Sequence, residues 1–259
     1  MNILNELAAL AVKRCEEMKS IKSLDELRSE ALSLPEKGFE FEKSLRSSDI
    51  SFICEVKKAS PSKGEISPDF PYLEIARQYQ NAGADCISVL TEPYYFKGSD
   101  DYLKEISSAV SVPVLRKDFT VDEYMIYEAA ALGASAVLLI CALLDTADIK
   151  RYIGICDKLG LSALVEAHNE NEIRSALKAG ARVIGVNNRD LRNFTVDINN
   201  SVRLRGLVPG DIVFVAESGI KTSDDIDLLR NAGVNAVLIG ETLMRSDDKK
   251  EMLRKLRGN

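Results

Sequence analysis

Histidine is almost missing from this chain: His168 is the only one in 259 residues. A Ser-His-Asp triad would have to be built on it, and no GxSxG motif is present, so triad hydrolysis is excluded. Zinc is disfavoured for the same reason. The five cysteines (Cys15, Cys54, Cys86, Cys141 and Cys156) are dispersed, without a CxxC or any close pair. An odd, scattered set reads as reduced cytosolic thiols, with Cys54, Cys86 and Cys141 expected in strands as small apolar residues.

Long apolar runs are also lacking. The longest, Ala136 to Leu144, is too short to span a bilayer. The start of the chain carries Glu6 and no basic cluster, unlike a secretory signal. Positive charge is not in excess. The net charge of −6 argues against a nucleic-acid surface, which needs a basic face. The expectation is a cytoplasmic protein without nucleic-acid or membrane partners.

What the chain does contain is a repeat. Roughly every fifty residues a glycine between small or apolar residues precedes an apolar run. The pattern reads Ala82-Gly83-Ala84 before Cys86 to Leu90, then Leu132-Gly133-Ala134 before Ala136 to Ile140. It returns as Ala179-Gly180-Ala181 before Val183 to Val186, and as Ala232-Gly233-Val234 before Ala236 to Ile239. Each glycine closes a helical pattern, and each run has the continuous apolarity of a strand buried on both faces. Further strands lie between, at Ser51 to Val56, Val112 to Leu115, Ser162 to Val165 and Ile212 to Ala216.

Eight strands, each followed by an amphipathic stretch, predict an α/β fold: a (β/α)8 TIM barrel. The alternative is an open doubly wound sheet, but a two-unit period favours closure. At 46% hydrophobic residues the chain can bury one large core, and the expectation is a single domain over 1–259. Residues 50–259 form the barrel and residues 1–49 a helical N-terminal extension packed on it. In that extension Ile3, Leu4, Leu7, Leu10 and Ala11 share a helical face. Ser23 and Glu26 form a capping box for a second helix, and residues 33–43 read as an irregular link.

Barrel strands should carry little charge, so charges at their C-terminal ends are informative. The first strand ends in Glu55 and Lys57, two apart and on one face. The third runs into Arg116-Lys117-Asp118, the fifth into Glu166, the sixth into Asn187 with Arg189 beyond, and the seventh into Glu217. Alternation points Lys117, Glu166, Asn187 and Glu217 inward. Two lysines and three carboxylates then meet at one mouth, an arrangement suited to general acid–base chemistry. Burial and like charge are expected to lower the lysines, and the lysines to keep the carboxylates ionised. His168 lies two residues past Glu166, in the following loop, and a surface or capping role is expected for it.

Glu217-Ser218-Gly219 and Gly240-Glu241-Thr242 put glycines after the seventh and eighth strands, where many barrels bind phosphate. An ordinary tight turn would use the same glycines. The loop Lys58 to Gly64 after the first strand is long and basic, and is placed to close over a ligand.

These residues carry a family resemblance. Phe52-Ile53-Cys54-Glu55-Val56-Lys57-Lys58-Ala59-Ser60-Pro61-Ser62-Lys63-Gly64 resembles the signature of indole-3-glycerol-phosphate synthase. The likeness continues through Ser88 to Glu92 with Phe96 and Gly98, Val114 to Phe119, Leu164 to Glu166, Asn187 to Leu191, Ala216 to Ile220 and Ile239 to Met244. It covers the chain from about residue 50 onward, and the helical extension is also a family trait.

The resemblance implies a carbon–carbon lyase of tryptophan biosynthesis that needs no metal or organic cofactor. It would close the pyrrole ring of 1-(2-carboxyphenylamino)-1-deoxyribulose 5-phosphate, releasing CO2, water and indole-3-glycerol phosphate. It implies Lys117 as general acid on the ketone oxygen and Glu166 as base in the dehydration. Lys57 would hold the substrate carboxylate and act as a second acid. Glu55 and Glu217 would orient the lysines and bind sugar hydroxyls, and Asn187 and Arg189 would fix the intermediate and the anthranilate carboxylate. Ser60, Gly219, Gly240 and Glu241 with Thr242 align with the phosphate region, and Ser218 is a further expected substrate-binding residue. Leu90, Phe96, Phe119, Leu138, Leu191 and Leu238 align with the aromatic pocket. The expected partner is the small phosphosugar substrate alone, bound by a monomer.

Glu241 departs from the small hydroxyl residue common there in the family, and an acid beside a phosphate would repel it. The nearest alternative, a phosphoribosylanthranilate isomerase barrel, uses a Cys and an Asp at its first and sixth strands. Here Asn187 stands at the sixth, and Cys54 points opposite to Glu55. A non-catalytic phosphate-binding barrel would have no reason to gather lysines with carboxylates.

Overall fold

The computed structural model describes residues 3–190 and 194–258. Eight parallel strands run β1 (Ser51–Val56), β2 (Cys86–Leu90), β3 (Val114–Lys117), β4 (Ala136–Ile140), β5 (Ser162–Ala167), β6 (Val183–Asn187), β7 (Val213–Glu217) and β8 (Ala236–Ile239). Each pairs with its sequence neighbour, and β8 returns to β1 with Ala236 opposite Ser51. That last pairing closes the barrel and rules out the open sheet. Two strand starts move inward by two residues or one: β3 begins at Val114 rather than 112, and β7 at Val213 rather than 212. Cys54 and Cys86 lie in strands as expected, but Cys141 falls one residue past β4 and is partly exposed.

The glycine rule holds in space. Gly83, Gly133, Gly180 and Gly233 all have φ between 79° and 91°, the left-handed conformation that ends a helix cheaply. The helix Glu170–Ala179 shows the whole logic. The Asn169 side chain accepts the Glu172 N–H at its start. Ile173, Ala176 and Ala179 are buried against the sheet, and Gly180 terminates it.

Two apolar layers result. One fills the space between strands and helices; the other fills the barrel. Inside the barrel Ile53, Cys86, Leu115, Leu138, Leu164, Val183 and Val215 are buried. Charged residues take over the inward positions only toward the C-terminal ends of the strands; below them the buried polar residues on that face are Ser51, Ser88 and Ser162.

The first fifty residues strap the barrel from one end to the other. α1 (Ile3–Ile21) buries Leu4, Leu7 and Ala11, and Ile3, Leu4 and Leu7 face the cavity at the strand C-termini. Ser23 and Glu26 form the reciprocal capping box that opens α2 (Leu24–Ser33). The stretch 33–43 is not wholly irregular, because α3 (Glu40–Ser44) begins within it. Its cause is tertiary: Phe41 and Leu45 are fully buried in the same apolar cluster as Ala136, Val183, Val213 and Ala236, the first residues of their strands. They plug the opposite end of the barrel.

A buried charge cluster fastens α1 beside the site. Arg14 donates to both oxygens of Asp118, at 3.0 and 2.7 Å. Thr91 donates to the same carboxylate at 2.6 Å. Arg116, 2% exposed, lies 2.8 Å from Asp100 and 2.7 Å from Glu128. Burial would raise Asp118, but Arg14, Arg116 and Thr91 outweigh it and hold the carboxyl below its ordinary value of 3.8. Arg116 and Asp118 thus anchor both sides of Lys117.

A carboxylate lowered on folding contributes stability above its ordinary pKa and loses it as pH falls through its folded value. Arg14→Met should therefore cost about 3 kcal/mol at pH 7, and the difference from wild type should shrink once Asp118 takes a proton. Urea denaturation at pH 7 and in acid measures both; equal loss at the two pH values would contradict the pairing.

Candidate active site

The strand C-termini surround a cavity of about 900 Å³. Glu55, Lys57, Lys117, Glu166, Asn187 and Glu217 all line it, from five different strands or their exits. Parallel register explains the convergence. Glu166 pairs with Gly185, and Asn187 with Glu217, so the polar ends stand at one level.

The charges interlock. Lys57 donates to Glu55. Lys117 Nζ lies 3.5 Å from Glu166 Oε2 and 3.4 Å from Glu217 Oε2, with its side chain 14% exposed. Burial disfavours the Lys117 ammonium, but Glu217, Glu166 and Glu55 together outweigh it and push its pKa up. The expected lowering is reversed because each carboxylate brings a full opposite charge into a site with little water. Glu55 is held below the usual range: burial opposes this, and Lys57 and Lys117 overcome it. Glu217 breaks the expectation that every carboxylate stays ionised. Burial, relieved in part by Lys117 and reinforced by Glu166 and Glu55, pushes it up to about 8.

His168 is another correction. It does not sit free on the surface. Its Nδ1 is 3.1 Å from Glu172 Oε2 and its Nε2 is 3.3 Å from Glu166 Oε1.

One wall is apolar. Leu90, Phe96, Phe119, Leu138 and Leu238 line it, and the Phe96 and Phe119 rings stand 6.2 Å apart at 42°. Leu191 lies outside the described residues. Ile3, Leu4 and Leu7 of α1 complete this side and were not foreseen as site residues, since an apolar helical face reads equally as packing.

Much of the remaining lining is polar, with Lys63, Arg189, Lys221 and Arg245 as its cations. Ser60, Ser218, Gly219, Gly240, Glu241 and Thr242 all line the cavity. Ser218 and Gly219 are both left-handed, with φ 68° and 85°. Thr242 donates to Ile220 O at 2.7 Å. Arg189 lines the cavity too, its N–H donating to Asn187 Oδ1 at 3.0 Å. The Glu241 difficulty resolves through neighbours: Lys63 lies 3.4 Å away and Arg245 donates to it at 3.2 Å. Lys221 and Arg245 were missed; the four-residue helical spacing from Glu241 to Arg245 was the available clue. The loop after β1 is more ordered than expected: Ala59–Ser60 pairs antiparallel with Gly64–Glu65.

Among the described residues, no group of three His, Cys, Asp or Glu is arranged to hold a metal ion. None of their helices is long and apolar enough to cross a membrane.

The indole-3-glycerol phosphate synthase family model matches residues 4–256. The chain belongs to that family. An indole-3-glycerol phosphate synthase of Ruminiclostridium cellulolyticum is 60% identical over 258 residues, 99% of each chain. One of Endomicrobium trichonymphae is 56% identical over 256 residues, 98% of this chain and 99% of its own. Among solved structures, a thiamine phosphate pyrophosphorylase from Pyrococcus furiosus aligns with TM-score 0.61 at 16% identity. It covers 86% of this chain and 96% of its own, and it shows the barrel fold alone. Members of the indole-3-glycerol phosphate synthase family are carboxy-lyases of tryptophan biosynthesis.

One contact inside the site is unusually restrictive. A Cβ on Gly185 would fall onto Glu217 Oε1 and within 3.1 Å of Leu164 Cδ1. Gly185→Ala should displace Glu217 from Lys117. Turnover should fall about 10²-fold, with a stability loss of about 1–3 kcal/mol from overpacking. Steady-state kinetics beside thermal melting checks it; a fully active Ala variant would show that Glu217 need not stand there.

Proposed function

We propose that the mouth of this barrel carries out the family's reaction on 1-(2-carboxyphenylamino)-1-deoxyribulose 5-phosphate, with the labour divided among the six polar residues. The observation that carries the reading is Lys117 Nζ lying within 3.5 Å of both Glu166 and Glu217 in an enclosed cavity. Lys117 delivers a proton to the ketone oxygen as the carboxylate-bearing aromatic carbon bonds to the carbonyl carbon. The carboxyl group then leaves as CO2, returning its electron pair to the ring. The new hydroxyl leaves as water after taking a second proton from Lys57, and Glu166 removes the proton from the adjacent carbon to complete the double bond. Two protons enter and one is recovered, so one is consumed per turnover.

The raised pKa of Lys117 fits an acid that must be charged when the substrate arrives. Its acidity becomes useful only as negative charge develops on the ketone oxygen, which is the condition for a group to stabilise the transition state more than the ground state. Glu55 and Glu217 position the two lysines and take the sugar hydroxyls. Asn187 and Arg189 hold the intermediate and the anthranilate carboxylate.

The wall of Leu90, Phe96, Phe119, Leu138 and Leu238 takes the aromatic ring. The phosphate sits at Ser60, Ser218, Gly219, Gly240 and Thr242, with Lys63 at the rim. Glu241 serves by holding Lys63 and Arg245 rather than by touching phosphate. Ile3, Leu4 and Leu7 of the extension line the mouth beside the barrel residues, which supports extension and barrel working as one domain; in this reading the enzyme is a cytoplasmic monomer.

The chain has no tryptophan, so indole fluorescence reports product against a protein free of indole. Mixed with the substrate, the protein should generate that signal. Lys117→Ala and Glu166→Gln should each lower kcat by about 10²–10⁴ while the barrel stays folded. A wild-type rate in either variant would remove that residue from its role.

A further inference from the structure

His168 is the one histidine of the chain, and the reaction scheme above gives it no task. It lies just past the end of β5, between two glutamates. On one side, Glu172 in the first turn of the helix Glu170–Ala179 accepts the His168 backbone N–H at 2.8 Å and sits 3.1 Å from Nδ1. Asn169 Nδ2 holds the other oxygen of Glu172 at 2.6 Å. On the other side, Nε2 is sealed from solvent and has no formed hydrogen bond; Glu166 Oε1 is 3.3 Å away. The backbone is fixed as well, since Asn200 Nδ2 donates to His168 O at 3.2 Å.

We propose that His168 is a positioning residue for the base Glu166, orienting its carboxylate from the side opposite Lys117. The two oxygens of Glu166 then have separate neighbours: Oε2 faces Lys117, and Oε1 faces the imidazole. Glu172 plays the orienting part toward Nδ1, which leaves Nε2 on the Glu166 side. The inference rests on Glu166 being the base.

The surrounding charges support it. Burial disfavours the imidazolium, but Glu172, Glu166 and Glu217 outweigh it and raise His168 above its ordinary value of 6.5. Glu172 is correspondingly lowered, against burial, chiefly by His168. The titratable groups facing this pair are Lys117, Glu217 and Glu55 from the barrel, Glu172 from the following helix, and the Cys141 thiol past β4. Burial, with Glu172 and Glu166, pushes Cys141 up to about 12, so it stays neutral. When Lys117 has given up its proton, His168 remains as the group that keeps Oε1 aimed while Oε2 is free to act. Structural packing alone would not require a sealed, unpaired Nε2 beside the base.

The test is the pH profile of kcat for His168→Ala, His168→Gln, Glu172→Gln and Glu166→Gln, beside wild type, with thermal melting as the fold control. His168→Ala should lower kcat about 10²-fold and leave KM within about twofold. Its acid limb should move to higher pH by about one unit, because a cation that favours the carboxylate has gone. His168→Gln, which keeps a donor but no charge, should recover part of kcat without restoring the limb. Glu172→Gln should reproduce the limb shift in part. An unmoved acid limb in the folded His168→Ala variant, whether kcat holds or falls, overturns the proposal. Glu166→Gln separates the two failures. If it is inactive while the His168 variants behave as wild type, only this inference fails; if it is fully active, the assignment of the base fails first.

Discussion

An ammonium at the end of β3 stands where little water reaches, and everything at the barrel mouth answers to it. Coulomb attraction strengthens as the surroundings lose water, and so does the cost of an unmatched charge. Glu166 and Glu217 reach Lys117 from β5 and β7, and Glu55 acts from β1 while paired to Lys57. Three carboxylates against two ammonium groups leave an excess, and Glu217 absorbs it by holding its proton toward pH 8. The site is therefore an electrostatic unit rather than a set of independent groups.

That unit needs walls that do not yield. Arg116 and Asp118 are tied into a buried network with Arg14, Asp100, Glu128 and Thr91, so the backbone on both sides of Lys117 is held. Gly185 leaves the space that the Glu217 carboxylate occupies, and Gly240 does the same for the Glu55–Lys57 pair. The extension contributes at both ends. α1 supplies apolar wall to the cavity and the Arg14 anchor, while α3 seals the far end with Phe41 and Leu45.

The barrel was legible because its two periods are strong: apolar runs for strands, glycine-closed amphipathic stretches for helices. The mouth residues were legible because charge is rare in such strands and alternation fixes which way each side chain points. Three features escaped for physical reasons. α3 is too short to show a period and exists because Phe41 is buried against the strand starts. The pKa order depends on how many carboxylates face one lysine, which needs distances rather than spacing. His168 turns on a loop path, and no pattern of residue types told that it would fold back against Glu166 rather than face water.

Shared charge around Lys117 governs the whole barrel mouth. The most direct measurement is a carbon-13 NMR titration of the glutamate side-chain carboxyls, with Glu217 assigned through Glu217→Gln. The structure predicts that Glu217 titrates well above its ordinary value of 4.5, toward 8, while Glu55 stays ionised to below that value. A Glu217 that loses its proton near 4.5 would contradict the account, because the three carboxylates would then not be competing for the same ammonium.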